Sequence, residues 1–278
     1  MEIRFSTVIS GLSRSDTQMI DRRNFIKDSV VVAGGATFSN SVQAGESGTH
    51  PTGVGGCTYR LPQFKKRSRL LFQGDSITDM KWGRNQKDRN HYLGHSYVYL
   101  IAARLGVDMP EAHLAIYTRG MSGHKIKDLR ARWQKDAIEM KPDLLSILIG
   151  VNDVGRNLDG VDVKKWEADY RFILDASSNA HPDLRIVLLD PFVLASGRLS
   201  NLDVYKKWRD QVERLIPIVG QLSKDYNAVH IKTQDVFDNA ANVVSPEQWI
   251  WDGVHPLPQG HELIARNWLQ EVSGRWSQ

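Results

Sequence analysis

The 278-residue chain has one cysteine, Cys57, so it can form no internal disulfide and offers no cysteine-rich zinc site. Cys57 reads as an incidental thiol. The chain also lacks a charge excess: 36 Lys plus Arg stand against 32 Asp plus Glu, and the surplus is spread along the sequence. With no Lys/Arg block to grip phosphates, the sequence gives no reason to read a nucleic-acid binder. Long hydrophobic runs are missing too. The mildly apolar stretch at 29–38 is too short and too Gly-rich to cross a bilayer as a stable helix. What remains is an ordinary globular composition, 41% hydrophobic and 24% charged, which excludes disordered and collagen-like chains.

The N-terminus has its own pattern. Paired Arg22 and Arg23, then Phe25 and Lys27, precede the weak apolar stretch, and Val42, Gln43 and Ala44 offer small residues for cleavage. This resembles a twin-arginine export signal over residues 1–44, with Asp21 where the pattern usually has Ser or Thr and Ile26 where it usually has Leu. It implies a bacterial protein handled by the twin-arginine export machinery and delivered to the periplasm or beyond, with no stable membrane insertion after processing. Met19 lies two residues before Asp21 and is a second candidate start. Residues 45–62 include a Gly/Thr/Ser-rich stretch and read as a flexible leader, and 63–278 as one globular domain. The segment Val54, Gly55, Gly56, Cys57 is only a faint lipoprotein box, placed well past the apolar stretch.

Beyond residue 68, short apolar runs alternate with amphipathic segments, the signature of β-α units feeding a parallel sheet. Strands are expected at 69–73, 113–117, 144–149, 185–189 and 229–232. Between them, Tyr97, Leu100, Ile101 and Leu105 recur at helical spacing, as do Leu129, Trp133 and Ile138, then Trp166, Tyr170, Ile173 and Leu174. A helix over 204–226 contains Pro217, which should kink it or end it early. A last helix is expected over 258–272. The fold expected is α/β, a three-layer α/β/α sandwich around a central parallel five-stranded sheet.

In such a sheet, ligands bind beyond the carboxyl ends of the strands. Four features fall there. The first strand runs into Gly74, Asp75, Ser76, Ile77, where a Ser after a turn-permitting Gly can present its hydroxyl and its own N–H. Taken alone, this is equally a helix cap. Arg119 to Gly123 makes a Gly-rich turn that can aim an N–H across the pocket. Gly150, Val151, Asn152, Asp153 follows the most apolar strand, and its polar pair can bind substrate or cap the next segment. Finally, Asp252 and His255 share a loop bounded by Gly253 and Pro256, close enough for the carboxylate to fix the imidazole tautomer.

In order and spacing these blocks resemble the SGNH, or GDSL-like, hydrolase superfamily over about residues 69–268, with Ile77 where Leu is commoner. The resemblance implies a flavodoxin-like fold and a serine esterase that needs no metal or organic cofactor. It makes Ser76 the nucleophile, His255 the general base and acid, and Asp252 the residue that orients it. It assigns the oxyanion hole to the N–H groups of Ser76 and Gly123 and the side-chain amide of Asn152. Asp75 and Asp153 then read as carboxyls that bond loop backbone and hold the blocks together. His91, His95 and His124 match no standard metal-ligand spacing.

The polar insertion at 81–91, with Trp82 and Arg84, and the pair Trp249 and Trp251 are candidate substrate contacts, because aromatic faces with planar polar groups suit a sugar. The favoured substrate is therefore an O-acetylated saccharide. A lysophospholipase or short-chain acyl thioesterase is the alternative within the enzyme class, and a non-catalytic carbohydrate-binding protein the alternative outside it.

Overall fold

The computed structural model describes residues 59–277. The expectations placed on residues 1–44, on most of the leader, and on Cys57 lie outside the described residues. Within them, strands β1 (Arg69–Gly74), β2 (Ala115–Thr118), β3 (Leu144–Leu148), β4 (Arg185–Leu189) and β5 (Val229–Ile231) form one sheet, ordered β2-β1-β3-β4-β5. Every pairing is parallel. The helices are α1 (Ser76–Asp79), α2 (Tyr97–Asp108), α3 (Ile126–Trp133), α4 (Val151–Gly155), α5 (Val163–Ala180), α6 (Leu202–Asp225), α7 (Thr233–Val243) and α8 (Pro258–Trp276).

The strand order dictates the layers. From β1 the chain moves outward to β2 through α2, then returns past β1 and continues through β3, β4 and β5 by way of α3, α5 and α6. Right-handed crossovers running in opposite directions along a sheet put their helices on opposite faces. Accordingly α3 packs on α5 and α5 on α6, while α8 packs on α2 and α7. The central strand β3 is buried along its whole length, as a parallel strand covered on both faces must be. Its one polar side chain, Ser146, accepts the indole N–H of Trp268 on α8 at 3.1 Å. Phe72 of β1 meets Trp268 and Tyr97 at centroid distances of 5.5 and 6.1 Å, so one aromatic cluster joins sheet, α2 and α8. Gln63 N–H donates to the Trp276 carbonyl at 2.6 Å and ties the start of the described chain to the end of α8.

Two expectations differ from the structure, the start of β2 and an early end to the helix that holds Pro217, and one turn was not expected. Strand β2 starts at Ala115, because His113 takes a left-handed conformation (φ 47°) to close the turn at Pro110–Ala112. Helix α6 runs through Pro217 to Asp225 without ending early. Pro217 is exposed, while the apolar stripe of Trp208, Val212, Leu215, Val219 and Leu222 stays buried on the other side. The proline therefore costs the carbonyl four residues back its partner only where water can replace it. After Trp133 the chain also makes a π-helical turn, Gln134–Ile138, that the periodicity did not announce.

Among the described residues, no helix is long and apolar enough to cross a membrane. Pro217→Ala restores the missing N–H. The expected gain is about 2 kcal/mol, an interior-proline penalty of about 3 less about 1 for the looser unfolded chain. Urea denaturation checks it, and a loss of stability would show that α6 needs the proline's geometry.

Candidate active site

The sheet reverses strand order at β1 and β3, so the crevice opens at their carboxyl ends. At the tip of β1, a Cβ on Gly74 would stand 2.4 Å from the Leu148 carbonyl oxygen, so only glycine lets the two strand ends approach this closely. Asp75 then caps α1 by accepting the Ile77 N–H at 3.0 Å, and Ser76 follows at the crevice, half-buried. Ser76 Oγ lies 2.8 Å from His255 Nε2, and His255 Nδ1 lies 2.8 Å from Asp252 Oδ2. The second oxygen of Asp252 accepts the N–H groups of His255 and Val254 at 2.7 and 3.0 Å. Burial works to raise this carboxyl, but the His255 ring and the two backbone donors outweigh it and hold it at about 2. Asp252 is thus a carboxylate, Nδ1 carries the proton toward it, and Nε2 is left to accept the serine hydroxyl.

The opposite wall comes from two loops. Gly150 (φ 131°) bends the chain from β3 into α4, and the Asn152 amide donates to the His124 carbonyl at 3.1 Å. An amide carries two N–H donors, so a second remains for a ligand. Gly123 adopts a left-handed φ of 80°, and no group among the described residues accepts its N–H. This loop is clamped from behind. A Cβ on Gly120 would lie 2.4 Å from the Asp79 nitrogen, and its carbonyl accepts Trp82 Nε1 and Arg84 Nη1, both at 3.0 Å. Buried Asp79 takes three donors on Oδ2: Arg84 Nη2 at 2.6 Å, Ser122 N–H at 2.9 Å and Ser122 Oγ at 2.7 Å.

Two further carboxyls sit behind the crevice. Burial pushes Asp75 up to about 7, against the opposing pull of the Ile77 N–H and His255. Burial likewise raises Asp153 to about 7, since the Ile126 N–H reaches its oxygens only at 3.3 and 3.4 Å.

This geometry meets the comparisons with known proteins. A sequence model of the GDSL-like Lipase/Acylhydrolase family matches residues 72–263, a span that holds all the groups just described. The chain belongs to this family. Among relatives of this acylhydrolase, an acetylxylan esterase of Geobacillus stearothermophilus is 33% identical over 217 residues, covering 75% of this chain and 95% of that protein. A solved structure described as a GDSL-like lipase of Parabacteroides merdae superposes with a TM-score of 0.71 at 35% identity, over 76% of this chain and 98% of the other. A catalytic mutant of Axe2, an acetylxylan esterase from Geobacillus stearothermophilus, gives 0.68 at 30% identity, over 77% and 98%.

Within the acylhydrolase, Ser76, His255 and Asp252 form one hydrogen-bonded relay at the end of β1, and the loops that carry Gly123 and Asn152 follow the neighbouring strands β2 and β3. The expected substrate contacts divide. Trp249 is buried, with its indole N–H spent on the Val244 carbonyl at 3.1 Å, so it anchors the loop instead of facing a ligand. Trp82 is also buried, its N–H on Gly120, with the guanidinium carbons of Arg84 and Arg119 4.8 and 5.0 Å from its ring centroid. Together Trp82 and Arg84 hold the Gly123 loop from behind. Trp251 is the exposed one of the three tryptophans, 59% exposed and stacked near His255 at 6.4 Å, and Arg84 is exposed too, with its guanidinium on Asp79 and Gly120. His91 is exposed and pairs with Asp88 at 3.0 Å. The reading of the sequence passed over Asp79 and Ser122, although Asp79 lies three residues after Ser76 in the same block.

Two outcomes are expected. Arg84→Leu should lower kcat by about tenfold or more with little change in KM, the signature of a positioning residue whose loss lets the Gly120–Gly123 loop drift; a rise in KM alone would return Arg84 to the substrate. For Asp75 the folded pKa is raised, so the native state keeps a proton that the unfolded chain has lost between about pH 4 and about pH 7. Its contribution to stability is present below that window and declines as pH rises through it. Asp75→Asn should therefore stabilise the fold progressively, relative to the parent, from about pH 5 to about pH 8 in urea titrations. A pH-independent difference would mean that Asp75 is ionised throughout.

Proposed function

We propose that this acylhydrolase is a serine esterase that removes O-acetyl groups from a saccharide. The observation that carries the reading is the continuous relay from Ser76 through His255 to Asp252, at the end of the strand next to the one that leads to Gly123 and its unengaged N–H. Ser76 Oγ attacks the ester carbonyl while its proton passes to His255 Nε2, and the imidazolium is stabilised by Asp252. The carbonyl oxygen, now an anion, takes the N–H groups of Ser76 and Gly123 and the free donor of Asn152. Collapse breaks the bond to the sugar oxygen, which leaves with the proton from His255 and gives an acetyl-enzyme and a free hydroxyl. Water, deprotonated by His255, then attacks the acetyl carbon and releases acetate and Ser76.

The acetyl-saccharide substrate is supported by the acetylxylan esterases that the chain resembles. It is supported as well by exposed Trp251, stacked near His255, which offers a flat face to a sugar ring. A long acyl chain would call for an apolar trough instead. Export to the periplasm or beyond belongs to the same reading and is supported by the twin-arginine-type pattern at Arg22 and Arg23.

Ser76→Ala should lower kcat/KM by on the order of 10⁴-fold or more and abolish fluorophosphonate labelling, with the fold intact by circular dichroism. Asn152→Ala should lower kcat by about 10²–10³-fold. Hydrolysis of acetylated xylo-oligosaccharides should exceed that of octanoyl and palmitoyl aryl esters; a strong preference for the long chains would favour a lysophospholipase and defeat the saccharide reading.

A further inference from the structure

Several cations near the crevice are matched by carboxylates within the protein: Arg84 by Asp79 at 2.6 Å and Arg132 by Asp136 at 3.0 Å. Arg156 is different. It follows α4, four residues beyond Asn152, and is exposed. Its Nη2 lies 3.6 Å from where a Cβ on Gly123 would stand, so the guanidinium overhangs the loop that faces Ser76. Among the described residues it makes no hydrogen bond and no ion pair. Arg198 stands at the other end of the relay. Its Nε donates to the Asp252 backbone carbonyl at 3.3 Å, and its Nη2 is 3.7 Å from Asp252 Oδ2, an oxygen already committed to the His255 ring.

A buried indole lies under Arg198. The guanidinium carbon of Arg198 sits 5.4 Å from the Trp208 ring centroid, and the far edge of that ring would be 2.3 Å from a Cβ on Gly155. A side chain at position 155 would therefore push the indole from its place under Arg198. Two guanidiniums thus lie near the groups of the site: Arg156, over the Gly123 loop with its donors unspent, and Arg198, against Asp252. A neutral acetylated sugar offers them only hydroxyls, whereas the planar donor fork of arginine matches a carboxylate.

Building on the acetyl-saccharide reading, we propose that Arg156 forms a carboxylate subsite, and that the natural substrate is an acetylated saccharide bearing a uronic acid close to the ester. Arg156 is a specificity residue in this arrangement and takes no part in the bond changes.

The test compares an acetylated glucuronoxylo-oligosaccharide with the same molecule after its carboxyl group is reduced to the alcohol. The parent enzyme should prefer the uronate by about tenfold in kcat/KM, expressed in KM, the low end of what a charge-assisted hydrogen bond supplies. In Arg156→Gln that ratio should fall toward one, and added salt should erode it in the parent. Calorimetry on Ser76→Ala with the deacetylated uronate should show binding about tenfold tighter than in Ser76→Ala with Arg156→Gln, a readout independent of turnover. A parent ratio near one overturns the proposal, as does an equal fall in kcat for both substrates in Arg156→Gln, which would place the guanidinium on the oxyanion. A preference for an aryl hemisuccinate over the aryl acetate would put the carboxylate on the acyl side and overturn the uronate assignment. Turnover of neither saccharide, alongside brisk cleavage of octanoyl esters, would defeat the saccharide reading itself, separately from any loss of uronate preference.

Discussion

The contact between Gly74 and the Leu148 carbonyl is the constraint on which the site depends. Two parallel strands that must diverge into separate loops are here brought close enough that a methyl group would not fit between them. That proximity places the end of β1, with Ser76, beside the end of β3, which leads into Asn152. The Ser76 and Asn152 side chains are thereby carried on strand ends whose spacing the backbone fixes. A site built on strand ends inherits the rigidity of the sheet, and β1 and β3 are among its best-buried strands.

Around this frame the carboxyls have diverged in electrostatic character. Asp252 receives one ring donor and two backbone donors and stays ionised, as its partner imidazolium requires. Asp75 and Asp153, with fewer donors and deeper burial, are driven toward the neutral form. Asp79 is as buried as Asp75, yet it collects Arg84 and both donors of Ser122 on a single oxygen. Burial with few donors, against shallower burial with three, separates Asp75 and Asp153 from Asp252.

Much of this was legible in sequence, for reasons that differ by element. The strands announce themselves because a parallel sheet covered on both faces needs continuous apolar runs such as Leu144, Leu145, Ile147 and Leu148. The crevice residues announce themselves because glycine, serine, asparagine and histidine recur in short blocks whose order the fold constrains. What sequence did not reveal depends on three-dimensional neighbours. Trp82 and Trp249 look like sugar platforms until their indole N–H groups are seen spent on Gly120 and Val244. Pro217 looks like a helix end until the opposite face is seen to be the buried one. Arg156 carries no local signal, since its significance lies in the loop it overhangs and in the partner it lacks.

The hydrogen bond between Ser76 and His255 joins residues 179 apart in sequence. Nothing local brings them together: the base arrives only when the segment leading into α8 has docked on the sheet, with Trp268 seated against Ser146. Until then the chain carries a serine of ordinary alcohol reactivity. Hydrolytic competence is therefore a property of a long-range contact, so a chain in which that contact has not closed is chemically silent.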